Sequence, residues 1–360
     1  MKKRNAALDI FKIFLSIMVV TCHQFGKQDL IFNNNFDKWD SWFFNIFTVL
    51  ITSPVPIFIL ISAYLAASSS KQNLNGFFKL GIDTFLYWII CVALVVILVS
   101  GLNIDISINK TLIFGGRDWW YLWSFLIIKA ISPILVQGIK NLNKIVSLVG
   151  ILFILVIRFA FIKSNNKELF DAGSIIGFLS VYLVGIWMTL YWKEQMKDKR
   201  VIKISLVVCC LLIVLPLIFK IMKYGIDVNI SDLAGFDSPM TPIPVIFSIF
   251  AFILISNVYI ESNKVTTLIA KTLLPVYLFH FAFEITMNQL VWSKVFRGTN
   301  SLALYELNFF IAIITWIITE CFALVIIYPH EFMSKYLNKG LWATIAFVKN
   351  KYNKKSLAKN

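Results

Sequence analysis

Four polar residues on one face of the first apolar segment carry the strongest chemical signal in this chain. The run from Leu8 to His23 is almost wholly apolar except for Asp9, Lys12, Ser16 and His23. Wound as a helix at about 100° per residue, Lys12 to His23 is about 1100°, three turns plus about 20°, and Asp9 and Ser16 fall close to the same direction. At about 1.5 Å per residue the Lys12 and His23 backbones stand about 16.5 Å apart. They cannot touch, so a ligand that uses both is long and has an anionic end beside the lysine. An imidazole with an ordinary pKa of about 6.5 suits proton transfer near neutrality, which makes His23 a candidate general base. Lys12 would attract the anion, and Asp9 could fix its side chain or favour the helix start through the dipole. The plain structural alternative has Lys12 snorkelling to headgroups while paired with Asp9.

The chain has three histidines, and the other two sit in different settings. His280 lies in Pro275-Val-Tyr-Leu-Phe-His280 with Glu284 four residues on, one turn away on the same face. Such an i, i+4 pair can orient an imidazole or bind a neighbouring helix. His330, in Tyr328-Pro-His-Glu331, reads as a residue at a helix end near a membrane surface. Asp83, Lys129, Arg158 and Glu320 also fall inside apolar stretches, and sequence offers no way to pair them. Cys22, Cys91, Cys209, Cys210 and Cys321 show no metal-ligand spacing, so neither a disulfide nor a metal is expected.

Elements able to position these groups follow from composition. The chain of 360 residues is 59% hydrophobic and only 15% charged, too little polar surface for a soluble protein of this length. Apolar runs long enough to cross about 30 Å of hydrocarbon recur at 8–26, 43–67, 77–100, 119–138, 145–163, 174–192, 203–221, 240–259, 267–290 and 309–329. The predicted fold is therefore all-α, a polytopic bundle of about ten transmembrane helices. One integral-membrane domain is expected over 1–345 and a basic cytoplasmic tail over 346–360. The net charge of +15 fits membrane orientation, not nucleic acid. Lys and Arg gather in alternate segments, as in Lys193-Glu-Gln-Met-Lys-Asp-Lys-Arg200 and in the tail, which places both termini in the cytoplasm and the tail on anionic lipid. Met1-Lys-Lys-Arg4 before an apolar run mimics a signal peptide, but no small-residue cleavage site follows, so the first span is expected to stay.

Four passages taken in order resemble the membrane acyltransferase family 3, bacterial proteins that acylate sugars and other hydroxyl-bearing molecules at the cell surface. Span 1 has Leu8-Asp9 leading through Lys12 to His23. Pro56-Ile-Phe-Ile-Leu-Ile-Ser62-Ala-Tyr64 resembles the family's apolar run ending in Ser-Gly-Tyr. Trp119-Trp-Tyr-Leu-Trp123 resembles its aromatic Tyr-Leu segment, and Tyr277-Leu-Phe-His280 its Tyr-Leu-x-His segment. The resemblance covers essentially the whole chain. There are two departures. The family often has an arginine where this chain has Lys12, and lysine lacks the planar five-donor fork. Many members carry Arg-x-Arg after span 2, where this chain has Ser70-Lys-Gln-Asn-Leu-Asn-Gly-Phe-Phe-Lys79.

The resemblance implies an O-acyltransferase of the bacterial plasma membrane that moves an acyl group, acetyl first among them, from cytoplasmic acyl-CoA to a hydroxyl of a cell-surface polysaccharide or its lipid-linked precursor. His23 would be the base, and His280 with Glu284 would orient substrate or stabilise the oxyanion. Lys12, Asp9, Ser62 and Tyr64 would hold the donor. Trp119, Trp120 and Tyr121 would either stack on sugar faces or form the usual interfacial aromatic belt. The partners expected are membrane lipid and a glycan acceptor, with no metal and no nucleic acid; the acceptor's identity, the acyl chain length and the oligomeric state are open. A transporter, flippase or polymerase of lipid-linked glycans is the competing reading. Its usual marks are absent from the sequence: the prolines form no symmetric pattern of broken helices, and the outer loops are short. A catalytically inactive or sensory membrane protein is the third.

Overall fold

The computed structural model describes residues 5–31, 47, 49–70, 74–104, 119–161, 175–224, 240–292 and 301–357. Among them the chain is helical, with one isolated antiparallel bridge, Asn5 to Glu261, and no strand. The helices are α1 (Ala7–Ile31), α2 (Pro54–Ala67), α3 (Asn75–Leu102), α4 (Trp120–Asn141), α5 (Lys144–Phe161), α6 (Ile175–Tyr191), α7 (Lys199–Tyr224), α8 (Pro242–Ser256), α9 (Lys264–Lys271), α10 (Leu273–Met287) and α11 (Ser301–Leu357).

Four of these, within α1, α3, α4 and α11, are long and apolar enough to cross a membrane. A fifth appears if α9 and α10, bent by 57°, count as one span. The helices α2, α6 and α8 are apolar but shorter. Large apolar side chains face outward all round: Ile134 is 73% exposed and Val325 74%. Water would penalise so wide an apolar surface, whereas lipid would not.

Contacts fix the relative directions of the helices around the site. Asn5 Nδ2 donates to the Val258 carbonyl at 2.8 Å just ahead of α9, and Gln24 donates to Asn288 at 3.2 Å just beyond α10, so α1 runs parallel to α9–α10. Trp316 reaches Ser16 while Phe309 packs by Met18 and Cys22, so α11 runs antiparallel to α1. Phe78 meets Trp342 and Tyr87 meets His330, so α3 runs antiparallel to α11. Trp119, at the start of α4, is buried beside Leu98 and Ile104 at the end of α3. Thus α4 is antiparallel to both α3 and α1.

Local chemistry explains the breaks. Pro54 opens α2 after a bend at Ser53 that interrupts the expected 43–67 span, since proline fits the first helical turn and not the interior. Expected as one span, 267–290 is broken at Thr272. Pro275 lacks an N–H, and its ring would clash with the Lys271 carbonyl four residues back. Asn263 caps α9 through a reciprocal box with Thr266, the Thr266 N–H donating to Asn263 Oδ1 at 2.8 Å. Past Met287 the chain turns as a π-helix, Asn288–Trp292. Instead of ending near 329, α11 continues to Leu357, through the tail expected to begin at 346, because no proline follows Pro329 to stop it.

Small residues let the backbones of α2 and α6 approach. A Cβ added at Gly185 would lie 2.6 Å from the Ala63 Cβ and 3.4 Å from the Leu60 Cα. Close packing of this kind, not apolar burial, holds helices together in lipid. The fully buried Arg158 of α5 donates to the Met240 carbonyl ahead of α8.

Candidate active site

A cavity of about 360 Å³ lies between α1, α2, α4 and the bent pair α9–α10, with Leu80 of α3 also in its wall. That volume is typical of a small-molecule site. Its wall is mostly apolar, with Val20, Phe58, Ile61 and Phe125 among the lining residues. The polar lining is sparse: Lys12 and Ser16 from α1, Ser62 from α2, Tyr121 and Lys129 from α4, and Lys271, Tyr277 and His280 from α9–α10.

At one end stand Tyr121, Tyr277 and His280, with the His23 ring against His280. The His23 and His280 rings are 5.1 Å apart between centroids, Tyr277 to His280 is 5.9 Å, and Tyr121 to Tyr277 is 5.4 Å. His280 is 4% exposed, and its Nδ1 lies 2.7 Å from the Tyr277 carbonyl oxygen. A carbonyl only accepts, so Nδ1 carries the proton and, in the neutral ring, the lone pair sits on Nε2. The backbone of α10 therefore selects a tautomer whose other nitrogen can take a proton.

The opposite end is cationic. Lys12 precedes Val20 by eight residues, about 12 Å of helix, and Lys129 follows Tyr121 by the same number on an antiparallel helix. Both lysines consequently lie toward the N-terminal end of α1, away from the imidazoles. Lys12 Nζ is 2.8 Å from Asp9 Oδ1, and Asp9 is buried. Lys271 is 2.9 Å from Glu331. Lys129 sits over the Phe125 ring with Nζ 5.6 Å from its centroid. A lysine midway along a membrane-length helix costs about 2.5–3.5 kcal/mol on insertion scales, so its presence calls for a reason.

The residues predicted from sequence separate into four sets. Lys12, Ser62, Tyr121 and His280 line the cavity together. Asp9 and His23 stand directly behind that wall, each in contact with a lining residue. Glu284 is fully buried one turn along α10 from His280 and is not among the lining residues. Tyr64, Trp119 and Trp120 pack elsewhere: Tyr64 against Phe252 at 5.6 Å with Lys193 above its ring, Trp119 buried at 4% exposure, and Trp120 edge-on to Phe178 at 5.7 Å. Sequence reasoning left Lys129 without a role and Tyr277 as a motif residue only. A readable signal existed, since Tyr121, Phe125 and Lys129 recur every four residues on one face of α4.

A second polar cluster joins α3 to α11. Asp83 accepts from Ser334 at 2.5 Å and from Lys79 at 2.9 Å, and its Oδ1 is 3.7 Å from His330 Nε2. The His330 ring is stacked on Tyr87 at 3.7 Å and 4°. His330 is thus buried between α3 and α11, among partners that its sequence context does not reveal, because α11 carries on past Pro329 alongside α3. Glu320, also unpaired in sequence, accepts from Thr272 at 2.6 Å at the α9–α10 break. Among the described residues no group of three His, Cys, Asp or Glu side chains could hold a metal.

No curated protein and no solved structure matches this chain. The family model of acyltransferase family 3, described as an Acyltransferase domain, matches residues 5–329, which takes in every element that lines the cavity. By that match the chain belongs to acyltransferase family 3 and is a membrane acyltransferase.

Proposed function

We propose that the protein spans the bacterial plasma membrane about ten times and transfers an acyl group, acetyl in the simplest case, from cytoplasmic acyl-CoA to a hydroxyl of a cell-surface polysaccharide or its lipid-linked precursor. The observation that carries this reading is the contact between His23 and His280 at one end of a cavity whose other end is lined by lysines. A thioester carrier is long, with polyanionic and acyl ends, and the cavity has the matching polarity. Its volume suits the slender arm and acyl group, with the nucleotide remaining at the lysine mouth.

The reaction follows from the tautomer. The acceptor oxygen attacks the thioester carbonyl; its proton passes to an imidazole nitrogen that has a lone pair, as His280 Nε2 has in this tautomer. When the tetrahedral intermediate collapses, the C–S bond breaks and the sulfur leaves with that proton. A neutral His280 held in this tautomer accepts rather than donates at Nε2. The base role predicted for His23 alone extends to the pair in this reading, and once protonated the His280 Nε2–H donates toward the oxyanion, the other role predicted for it. His23 supports the pair through its ring contact. Lys12, Lys129 and Lys271 line the end of the cavity that would meet the anionic part of the donor.

The test is transfer from labelled acetyl-CoA supplied outside sealed inverted vesicles. The expected result is label on glycan that disappears in His23→Ala at equal membrane expression. Glycan that crosses the membrane without taking up label would favour the transporter instead.

A further inference from the structure

Three cations line the inner wall of the cavity, and two of them already have carboxylate partners. Lys12 is paired with Asp9 at 2.8 Å and Lys271 with Glu331 at 2.9 Å. Lys129 has neither an ion pair nor a hydrogen bond among the described residues; its neighbour is the Phe125 ring. The net positive charge of this lining is therefore carried by Lys129. A half-buried ammonium held between apolar helices, with no carboxylate beside it, is costly to keep unless something anionic arrives. Its place is consistent with this: on α4, two turns beyond Tyr121, it faces the same cavity as Lys12, at the end away from the imidazoles.

We infer that Lys129 is the principal anion-seating residue of the site and takes a phosphate-type oxygen of the donor, while Lys12 and Lys271 shape the mouth as neutralised pairs. This rests on the donor reading above; the sequence by itself assigned the anion to Lys12. The assignment moves because Asp9 already compensates Lys12. The residue acts in binding, remote from the reacting carbonyl, so its removal raises the KM for donor and leaves kcat at saturating donor close to wild type.

The experiment measures binding of CoA and, in parallel, of inorganic pyrophosphate to the purified full chain in lipid nanodiscs. Wild type, Lys129→Met and Lys129→Arg are compared, with thermal unfolding of each as a folding control. Methionine keeps the apolar stem and removes the charge, so Lys129→Met is expected to unfold no earlier than wild type. It weakens binding about tenfold or more, the usual effect of losing one charge-assisted contact. Lys129→Arg restores most of the affinity. A purely structural role over Phe125 would instead lower thermal stability and leave affinity unchanged. Dependence of either probe on Lys129 supports the inference. Equal binding of both probes by wild type and Lys129→Met overturns it and leaves the acyl-CoA reading standing. Lys129-dependent binding of pyrophosphate without any binding of CoA keeps the inference and removes the acyl-CoA reading. Failure of wild type to bind either probe ends both.

Discussion

Two buried histidines in this protein look alike in isolation and differ in what surrounds them. His280 and His330 are each 4% exposed, each sits on an apolar helix, and each has an aromatic neighbour. His330 is enclosed by partners: Asp83 faces its Nε2, Tyr87 covers its ring, and Asp83 is in turn held by Ser334 and Lys79. That cluster ties α3 to α11. His280 has its Nδ1 engaged by its own helix and lines an open cavity. Burial and charge mark both places equally; only one of them borders a cavity.

Alanine substitution breaks the comparison most sharply. His280→Ala is expected to lower acyl transfer by about 10² to 10⁴, the usual contribution of a positioned base, with little change in thermal unfolding. His330→Ala is expected to do the reverse. It leaves Asp83 without one of its partners and a gap against Tyr87, costing about 1–3 kcal/mol of stability, while transfer per folded molecule stays within about threefold of wild type. Activity per folded protein and melting temperature, measured on the same preparations, decide it. Equal loss of activity in both variants would erase the distinction.

How much of this could be read in the sequence depends on range. The α1 stripe was legible because a 3.6-residue period is local: Lys12 and Ser16 do face one cavity, and Asp9 does pair with Lys12. The contact between His23 and His280 was not, since the two are far apart in the chain and meet only because α1 and α10 run parallel. Asp83 and His330 stayed unpaired for the same reason. The aromatic run at the start of α4 divides in the structure: the sequence groups Trp119, Trp120 and Tyr121, and of the three only Tyr121 lines the cavity. The break at Thr272 was foreshadowed by Pro275, a local signal masked by the surrounding hydropathy.

A smaller effect is expected where the wall of the cavity is set from behind. Gly185 of α6 lets α2 approach, and α2 contributes Phe58, Ile61 and Ser62 to the lining. In Gly185→Ala the new Cβ would sit 2.6 Å from that of Ala63, too close without movement of a backbone. Overpacking of this kind costs about 1–3 kcal/mol. Displacement of α2 is expected to lower transfer about tenfold, since small misplacements of a lining element are amplified in rate. The paired change Gly185→Ala with Ala63→Gly removes the clash and should recover most of both losses. No such exchange rescues His280→Ala, which separates a group that reacts from one that only makes room.

The least effect is expected at the exposed turn after α6. Lys197 Nζ lies 2.9 Å and 2.8 Å from the two oxygens of Glu194. Hydrogen bonding from Lys197, helped by its charge, holds the Glu194 carboxyl below its ordinary value of 4.5. A carboxylate whose folded value is depressed stabilises the fold above its unfolded pKa, and that contribution fades as pH falls below 4.5 and through the lowered folded value. The pair is fully exposed, so water and salt screen it. Glu194→Gln is therefore expected to leave the unfolding temperature at pH 7 unchanged within measurement scatter, and to remove only a slight acid-side slope near pH 4. Compared with Asp83, whose oxygens are buried between two helices, Glu194 has a short ion pair in water that leaves almost no trace in stability. A marked drop in the melting temperature of Glu194→Gln at neutral pH would mean that this turn is braced against a surface that screens it from solvent.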